Sequence, residues 1–331
     1  MKKQFIFIGL ALLLSTSLWA QKKLELFDAV IGQWQYLRPQ SLSGVSWKGD
    51  EGFTHIREGE LFFVDAQNSK EKAFLGPKAV NKALSDADLP RLSSFYGYEW
   101  ISSTEMLLRP ENYYVVYEPE EGKVRYAIQL PQKAENMDFC PQARAVAYTR
   151  GNNVFLATPG DTLIHVSDFK DMGFIAGQSV SRREFGISKG TFWSPDGAQL
   201  AYYVKDVRAV QDFPDPDYLQ IPAVAGTIKY PMAGDASEHV FLQVYDMGLK
   251  KVTATIEKDL KSEKYLTNIA WTPDAEEIYI AVLNRGQDHM QMNCYDAASG
   301  VKLASLFSFK HEKWVEPDHA PDEREGDVGE H

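Results

Sequence analysis

The sequence predicts an all-β fold, a β-propeller of four-stranded blades, on three observations. A turn template recurs along the chain, an apolar strand follows each copy, and the copies return at intervals near the length of one blade. The clearest copy is Trp193-Ser194-Pro195-Asp196-Gly197, followed by Ala198-Gln199-Leu200-Ala201-Tyr202-Tyr203. Proline fixes φ in such a turn and glycine accepts a positive φ, while the aromatic residue ends one strand and packs between sheets. The anchor aromatics stand at positions 47, 100, 139, 193 and 271, with spacings of 53, 39, 54 and 78 residues. Three of these lie near the roughly 40–50 residues of a propeller blade. The last is long because residues 206–238 carry four prolines and read as an inserted loop. A β-sandwich with coincidental turns is the competing architecture, and an ordered series of copies favours the propeller.

Taken in order, the chain opens on an address. Met1-Lys2-Lys3 is a basic start, an apolar run spans residues 5–14, and Ser15-Thr16-Ser17-Leu18-Trp19-Ala20 is a small-residue exit. This is the pattern of a secretory signal peptide cleaved near Ala20, and the run is short for a membrane span. The expected mature protein is exported, periplasmic or secreted. The first repeat then opens at Trp47 with Gly49-Asp50-Glu51-Gly52 and continues into Leu61-Phe62-Phe63-Val64-Asp65. The second opens at Trp100 and continues into Tyr114-Val115-Val116-Tyr117 and the turn Glu121-Gly122-Lys123. The third, Phe139-Cys140-Pro141-Gln142-Ala143, is degenerate. The fourth follows Trp193 and resumes at residues 240–246. The fifth is Trp271-Thr272-Pro273-Asp274-Ala275, with a later strand over residues 290–296.

Composition narrows the function classes. The chain has 331 residues, 44% hydrophobic and 24% charged, which fits a folded globular protein. A formal charge of −11, becoming −13 once Lys2 and Lys3 leave with the signal, argues against nucleic acid or an anionic membrane as partner. Cys140 and Cys294 cannot build a disulfide framework and form one bridge or none. Gly44-Val45-Ser46-Trp47-Lys48 and Gly177-Gln178-Ser179-Val180-Ser181 lack the second glycine of a nucleophile elbow. The histidines at 55, 165, 239, 289, 311, 319 and 331 have no metal-binding spacing and read as exposed loop residues. No phosphate loop is present either, so the reading calls for no cofactor, no metal and no catalytic residue in this chain.

One stretch does read as a site. Residues 177–190 are polar and glycine-bounded, and they lead directly into Trp193. A carboxylate held on such a loop, Glu184, can bind an amine by a charge-assisted hydrogen bond. The alternative is a solvated cluster of Arg182, Arg183 and Glu184 whose ion pairs contribute little.

The run Arg183-Glu184-Phe185-Gly186-Ile187, continuing through Gly190-Thr191-Phe192-Trp193-Ser194-Pro195-Asp196-Gly197, resembles the N-terminal propeller of the dipeptidyl peptidase IV group within the prolyl oligopeptidase family. Within that group it is most similar to bacterial prolyl tripeptidyl peptidases. Arg38-Pro39-Gln40-Ser41-Leu42, Tyr230-Pro231-Met232-Ala233-Gly234 and Leu266-Thr267-Asn268-Ile269-Ala270-Trp271 agree in the same order, and the resemblance covers roughly residues 24 to 319. It implies an exopeptidase that releases short N-terminal peptides ending in proline. In that family an eight-bladed propeller caps a hydrolase domain carrying Ser, Asp and His. A propeller glutamate binds the substrate's free α-ammonium, and Glu184 is the position that matches. The group's dipeptidyl peptidases present two glutamates together, whereas Arg183 precedes a single Glu184 here, which leans toward tripeptide release. The family's carbonyl-binding arginine is not assigned to a position, and Arg182 and Arg183 are candidate substrate-loop contacts. Homodimerisation is expected of the full-length protein.

From Glu316 onward seven acidic residues stand against Arg324, the composition of a disordered tail, where the family would continue with further blades and the hydrolase. The expected layout is therefore a signal peptide over 1–20, a partial propeller of about five blades over 21–315, and an acidic tail over 316–331. The expected role is the substrate-recognition and gating region of an exported serine exopeptidase, inactive as this chain. A non-catalytic periplasmic propeller that binds a peptide or protein is the alternative.

Overall fold

The computed structural model describes residues 23–39 and 41–317, so the signal-peptide reading and nearly all of the acidic tail lie outside the described residues. The described residues are all-β and fold into five successive antiparallel sheets of four or five strands, with one two-stranded hairpin beside them. The first holds β1 (Ser43–Lys48), β2 (Gly52–Arg57), β3 (Glu60–Asp65) and β4 (Glu71–Leu75) in that order. A helix, α1 (Pro77–Asp86), separates it from the second, which holds β5 (Glu99–Trp100), β6 (Met106–Leu108), β7 (Tyr113–Glu118) and β8 (Lys123–Gln129). The third holds β9 (Glu135–Cys140), β10 (Ala145–Arg150), β11 (Asn153–Thr158) and β12 (Asp161–His165).

The fourth sheet departs from this plan. Two short strands, β13 (Phe174–Ala176) and β14 (Thr191–Trp193), pair side by side with opposite ends of one long strand, β15 (Gln199–Asp206). A hairpin of β16 (Asp212–Pro214) and β17 (Thr227–Lys229) then lies outside the sheet, before β18 (His239–Asp246) and β19 (Lys251–Ile256) complete it. The fifth sheet holds β20 (Lys264–Trp271), β21 (Glu277–Asn284), β22 (His289–Asp296) and β23 (Lys302–Lys310).

The repeated turn behaves as its residues require. Asp196 accepts from the Ser194 hydroxyl at 2.7 Å and from the Ala198 amide at 3.0 Å, and Gly197 takes φ +71°. A Cβ at Gly197 would also lie 2.5 Å from the Ala143 amide of the preceding turn, so glycine is needed there for space as well. In the fifth sheet Thr272 and Asp274 reproduce the same bond at 2.6 Å, but Ala275 takes φ +62° in glycine's place. The hydroxyl donors hold both aspartates below the usual carboxylate range.

Apolar clusters fill the space between each sheet and the next. Leu61 and Leu84 meet Met106 and Tyr117 between the first sheet, α1 and the second. Val116 meets Phe139 and Tyr148 between the second and third. Leu156 meets Leu200 and Phe241 between the third and fourth, and Tyr203 meets Leu266 and Ile280 between the fourth and fifth. Burying one such side chain contributes about 1.5–3 kcal/mol. Each anchor tryptophan after the first also donates its indole N–H backward to the preceding sheet: Trp100 to Thr54 Oγ1 at 2.7 Å, Trp193 to the Asp138 carbonyl at 3.2 Å and Trp271 to the Phe192 carbonyl at 3.1 Å.

Three expectations need correction. Trp47 does not pack between sheets but is 61% exposed, because no sheet precedes the first among the described residues. The histidines are not mainly loop residues, since His55, His165, His239 and His289 lie in strands. His55 is buried on β2, on the same face as Trp47, where Phe53 and Phe62 flank its ring and Nε2 lies 2.6 Å from a Glu71 carboxylate oxygen. Helix α1 was not anticipated, although Pro77 at its first turn and inward Val80, Ala83 and Leu84 carry a helical signature. Cys140 and Cys294 are both buried free thiols on different sheets, and burial pushes Cys294 up to about 11, with the Glu277 carboxylate adding to the shift.

Candidate recognition loop

The split in the fourth sheet is where the site lies. The other sheets run an unbroken first strand, whereas here residues 177–190 leave the sheet between β13 and β14 and return to it. The two feet of the loop touch: a Cβ at Gly190 would sit 2.4 Å from the Gln178 carbonyl group, so only glycine permits the crossing. Tyr203 fixes both feet from one residue of β15, its carbonyl accepting from Gly177 N at 2.8 Å and its amide donating to Gly190 O at 2.9 Å. Lys205 adds a bond from its ammonium to Ser179 O at 3.3 Å.

At the tip the backbone turns left-handed. Ser181, Arg182, Arg183 and Phe185 take φ of +50°, +55°, +63° and +58°, with Gly186 at +68°. Each non-glycine residue there costs on the order of 1–2 kcal/mol, so the surroundings must hold the shape. They do so from both sides of Glu184. Ser181 is buried, and its amide donates to Glu238 Oε1 at 2.6 Å. Phe185 is buried against Tyr265, with ring centroids 5.1 Å apart, and its carbonyl accepts from Thr267 Oγ1 at 3.2 Å. Ile187 enters the core between the fourth and fifth sheets.

Between these anchors Glu184 is exposed, and its carboxylate has no hydrogen bond or ion pair among the described residues. Arg182 does not pair with it; its guanidinium stacks 3.8 Å from the centre of the Tyr230 ring, in the segment that follows β17. Arg183 is exposed beside Glu184. The three residues that the sequence singled out thus share one turn but have separate surroundings.

A cleft of about 290 Å3 opens beside the descending arm of the loop, where Ser188 and Lys189 face Arg109, Tyr114, Asn136 and Asp138. Asp138 is buried and accepts from Thr191 Oγ1 at 2.9 Å, with the Lys189 ammonium 3.8 Å away. Arg109 donates to the Gly97 carbonyl at 2.8 Å and pairs with Glu99 at 3.2 Å, its guanidinium 5.3 Å from the centre of the Tyr114 ring. Sequence reasoning missed Arg109. The available signal was a lone arginine closing the apolar run Met106-Leu107-Leu108 just before Pro110.

The chemistry open to this arrangement is recognition. An exposed carboxylate pairing with an ammonium in water contributes about 0–1 kcal/mol, and a fixed backbone removes part of the ordering cost. No helix among the described residues is long and apolar enough to cross a membrane.

Comparison with known proteins agrees with the fold and its order. The crystal structure assigned to a dipeptidyl aminopeptidase IV of Bacteroides ovatus superimposes with a TM-score of 0.80 at 30% identity, covering 90% of this chain and 41% of that one. Dipeptidyl peptidase 4 of Porphyromonas gingivalis superimposes with a TM-score of 0.67 at 20% identity, covering 90% of this chain and 44% of its own, a likeness of fold. A "Probable dipeptidyl-aminopeptidase B" of Pyrenophora tritici-repentis is 25% identical over 312 residues, 86% of this chain and 33% of that protein. The chain therefore spans less than half the length of each of these proteins. The profile of the dipeptidyl peptidase IV (DPP IV) N-terminal region matches residues 108–327, about two thirds of the sequence, and the chain belongs to that family.

Proposed function

We propose that this chain is the substrate-recognition region of an exported serine exopeptidase that releases di- or tripeptides ending in proline from peptide N-termini. Glu184 is the acceptor for the substrate's free α-ammonium. The observation that carries this reading is a lone, unpartnered carboxylate on a backbone immobilised at Ser181 and at Phe185. The single glutamate after Arg183 favours tripeptide release. Arg109, which lines the cleft beside the loop with its guanidinium held by the Gly97 carbonyl and Glu99, is the arginine assigned to a substrate carbonyl, while Arg182 stacks on Tyr230 away from that cleft's lining. The five sheets act as five blades of a propeller of the eight-bladed type. Residues 1–20 direct export, the full-length protein dimerises, and cleavage requires a hydrolase domain carrying Ser, Asp and His. By itself this chain binds peptides without cleaving Xaa-Pro or Xaa-Xaa-Pro chromogenic substrates.

The test is calorimetry with Ala-Ala-Pro amide, free or acetylated at its N-terminus. The free amine should bind at least about tenfold more tightly, a difference of about 1.4 kcal/mol. Glu184→Gln should abolish that preference. Equal affinity for the two peptides in the unmodified protein would sink the assignment.

A further inference from the structure

The left-handed turn that presents Glu184 is bonded to a carboxylate supplied from 57 residues further along the chain. Glu238 lies half-buried at the entrance to β18, and its Oε1 accepts the Ser181 amide at 2.6 Å. Of the turn's amides, Ser181 N–H is the one that reaches Glu238, while Arg183 and Glu184 donate theirs to the Val180 and Ser181 carbonyls at 3.0 and 2.9 Å. Those two bonds close the turn on its own backbone but do not tie it to a neighbouring strand as Glu238 does. Lys205 holds Ser179 before the turn begins, and the stacking on Tyr230 fixes the Arg182 side chain rather than the backbone. The buried Ser181 hydroxyl has no partner among the described residues, so Glu238 is the one side chain that bonds to this residue.

Glu238 is itself held by a series of contacts that closes on the far side of the turn. Its neighbour Ser237 donates its amide to Glu263 Oε1 at 2.8 Å. The second oxygen of Glu263 lies 3.4 Å from Arg285 Nε, and the Arg285 guanidinium donates to the Tyr265 hydroxyl. The Tyr265 ring packs on Phe185, the residue after Glu184. The contacts thus run from Ser181 through Glu238, Glu263, Arg285 and Tyr265 back to Phe185, with Glu184 inside the closure.

We infer that Glu238 is a positioning residue for Glu184, its carboxylate oxygen holding the turn that aims the ammonium acceptor. The inference rests on the reading of Glu184 above, and it assigns Glu238 no contact with substrate. It also distinguishes the two glutamates chemically. Glu184 needs its charge, whereas Glu238 needs only an acceptor oxygen in place.

Hydrogen exchange across residues 178–186 tests this in the full chain, because it reads the turn without any ligand. Glu238→Ala should speed exchange there by about tenfold or more while β10 stays protected, since the bond lost is local. Glu238→Gln keeps an amide oxygen at the same place and should stay within about threefold of the unmodified protein. In calorimetry with Ala-Ala-Pro amide, Glu238→Ala should weaken binding about tenfold and Glu238→Gln should retain most of it. Glu184→Gln should lose the free-amine preference with exchange unchanged. Unaltered exchange in Glu238→Ala would overturn the proposal, as would a Glu238→Gln variant as damaged as Glu238→Ala. If the unmodified protein ignores peptide amines, the role of Glu184 fails, and the exchange result still decides whether Glu238 holds the turn.

Discussion

The third sheet and the fifth are built from the same repeat, yet they meet different surroundings. On β10, five of six residues are buried, because the second sheet covers one face and the fourth covers the other. On β21, the matching strand of the fifth sheet, half of the residues are buried. On β23, the outermost strand of that sheet, every residue is exposed, although Leu303, Leu306, Phe307 and Phe309 are as apolar as anything in the interior. The first sheet repeats the lesson, with Val45 and Trp47 half-exposed or more on its outer face. Apolar patterning therefore records which faces require cover, while the strand's place in its sheet and the neighbouring sheet together decide whether they have it.

The largest expected difference is between a core tyrosine and an outer phenylalanine. Tyr203 is fully buried between the fourth and fifth sheets, donates its hydroxyl to the Leu266 carbonyl at 2.8 Å, and fixes both feet of the recognition loop through its backbone. Tyr203→Ala should cost about 3–5 kcal/mol in urea unfolding, as other large buried aromatics do. Phe309→Ala should change stability by no more than about 0.5 kcal/mol. Equal losses would show that the outer face is covered in solution.

That outcome connects to a second, smaller effect. Uncovered apolar faces on the first and fifth sheets favour association between copies of this chain. We expect sedimentation velocity to show concentration-dependent association at micromolar protein. Phe307→Lys combined with Phe309→Lys should weaken it about tenfold to a hundredfold, or about 1.4–2.8 kcal/mol. A sharp monomer at all concentrations would break the link between exposure and association.

Much of this architecture was legible because a turn is a local device. Pro195, Asp196 and Gly197 act within four residues, so the template could be read at 193, and again at 271 even where Ala275 stands in glycine's place. The inserted loop over 206–238 was legible for the same reason, from its prolines. Contacts between sheets were not legible. Nothing near Arg109 indicates that it faces Lys189 across a cleft, and nothing near Ser181 points to Glu238. The split first strand of the fourth sheet was hidden as well, since β13 and β14 are three residues each and show no alternation to read. His55 was misread because Phe62 and Glu71, which help to enclose it, stand on other strands.

The finest test of the comparison uses one residue type in two places. Trp193 and Trp47 both anchor a repeat, but Trp193 Nε1 donates to the Asp138 carbonyl of the third sheet, while the Trp47 ring packs edge-on against Phe53 of its own sheet, with ring centroids 5.5 Å apart. Phenylalanine keeps most of the ring and removes the donor. At position 193 the substitution leaves a partly buried carbonyl with one acceptor site unmet, a loss of about 1 kcal/mol. The same carbonyl belongs to Asp138, which also holds Thr191 at the base of the recognition loop, so the damage should extend to that loop. Trp193→Phe should therefore lower the unfolding free energy by about 1 kcal/mol and raise hydrogen exchange near Thr191. Trp47→Phe loses no such bond, and its free energy should stay within about 0.5 kcal/mol of the unmodified protein. If the two substitutions cost the same, the backward indole bond is not what joins neighbouring sheets, and packing of the ring alone must account for it.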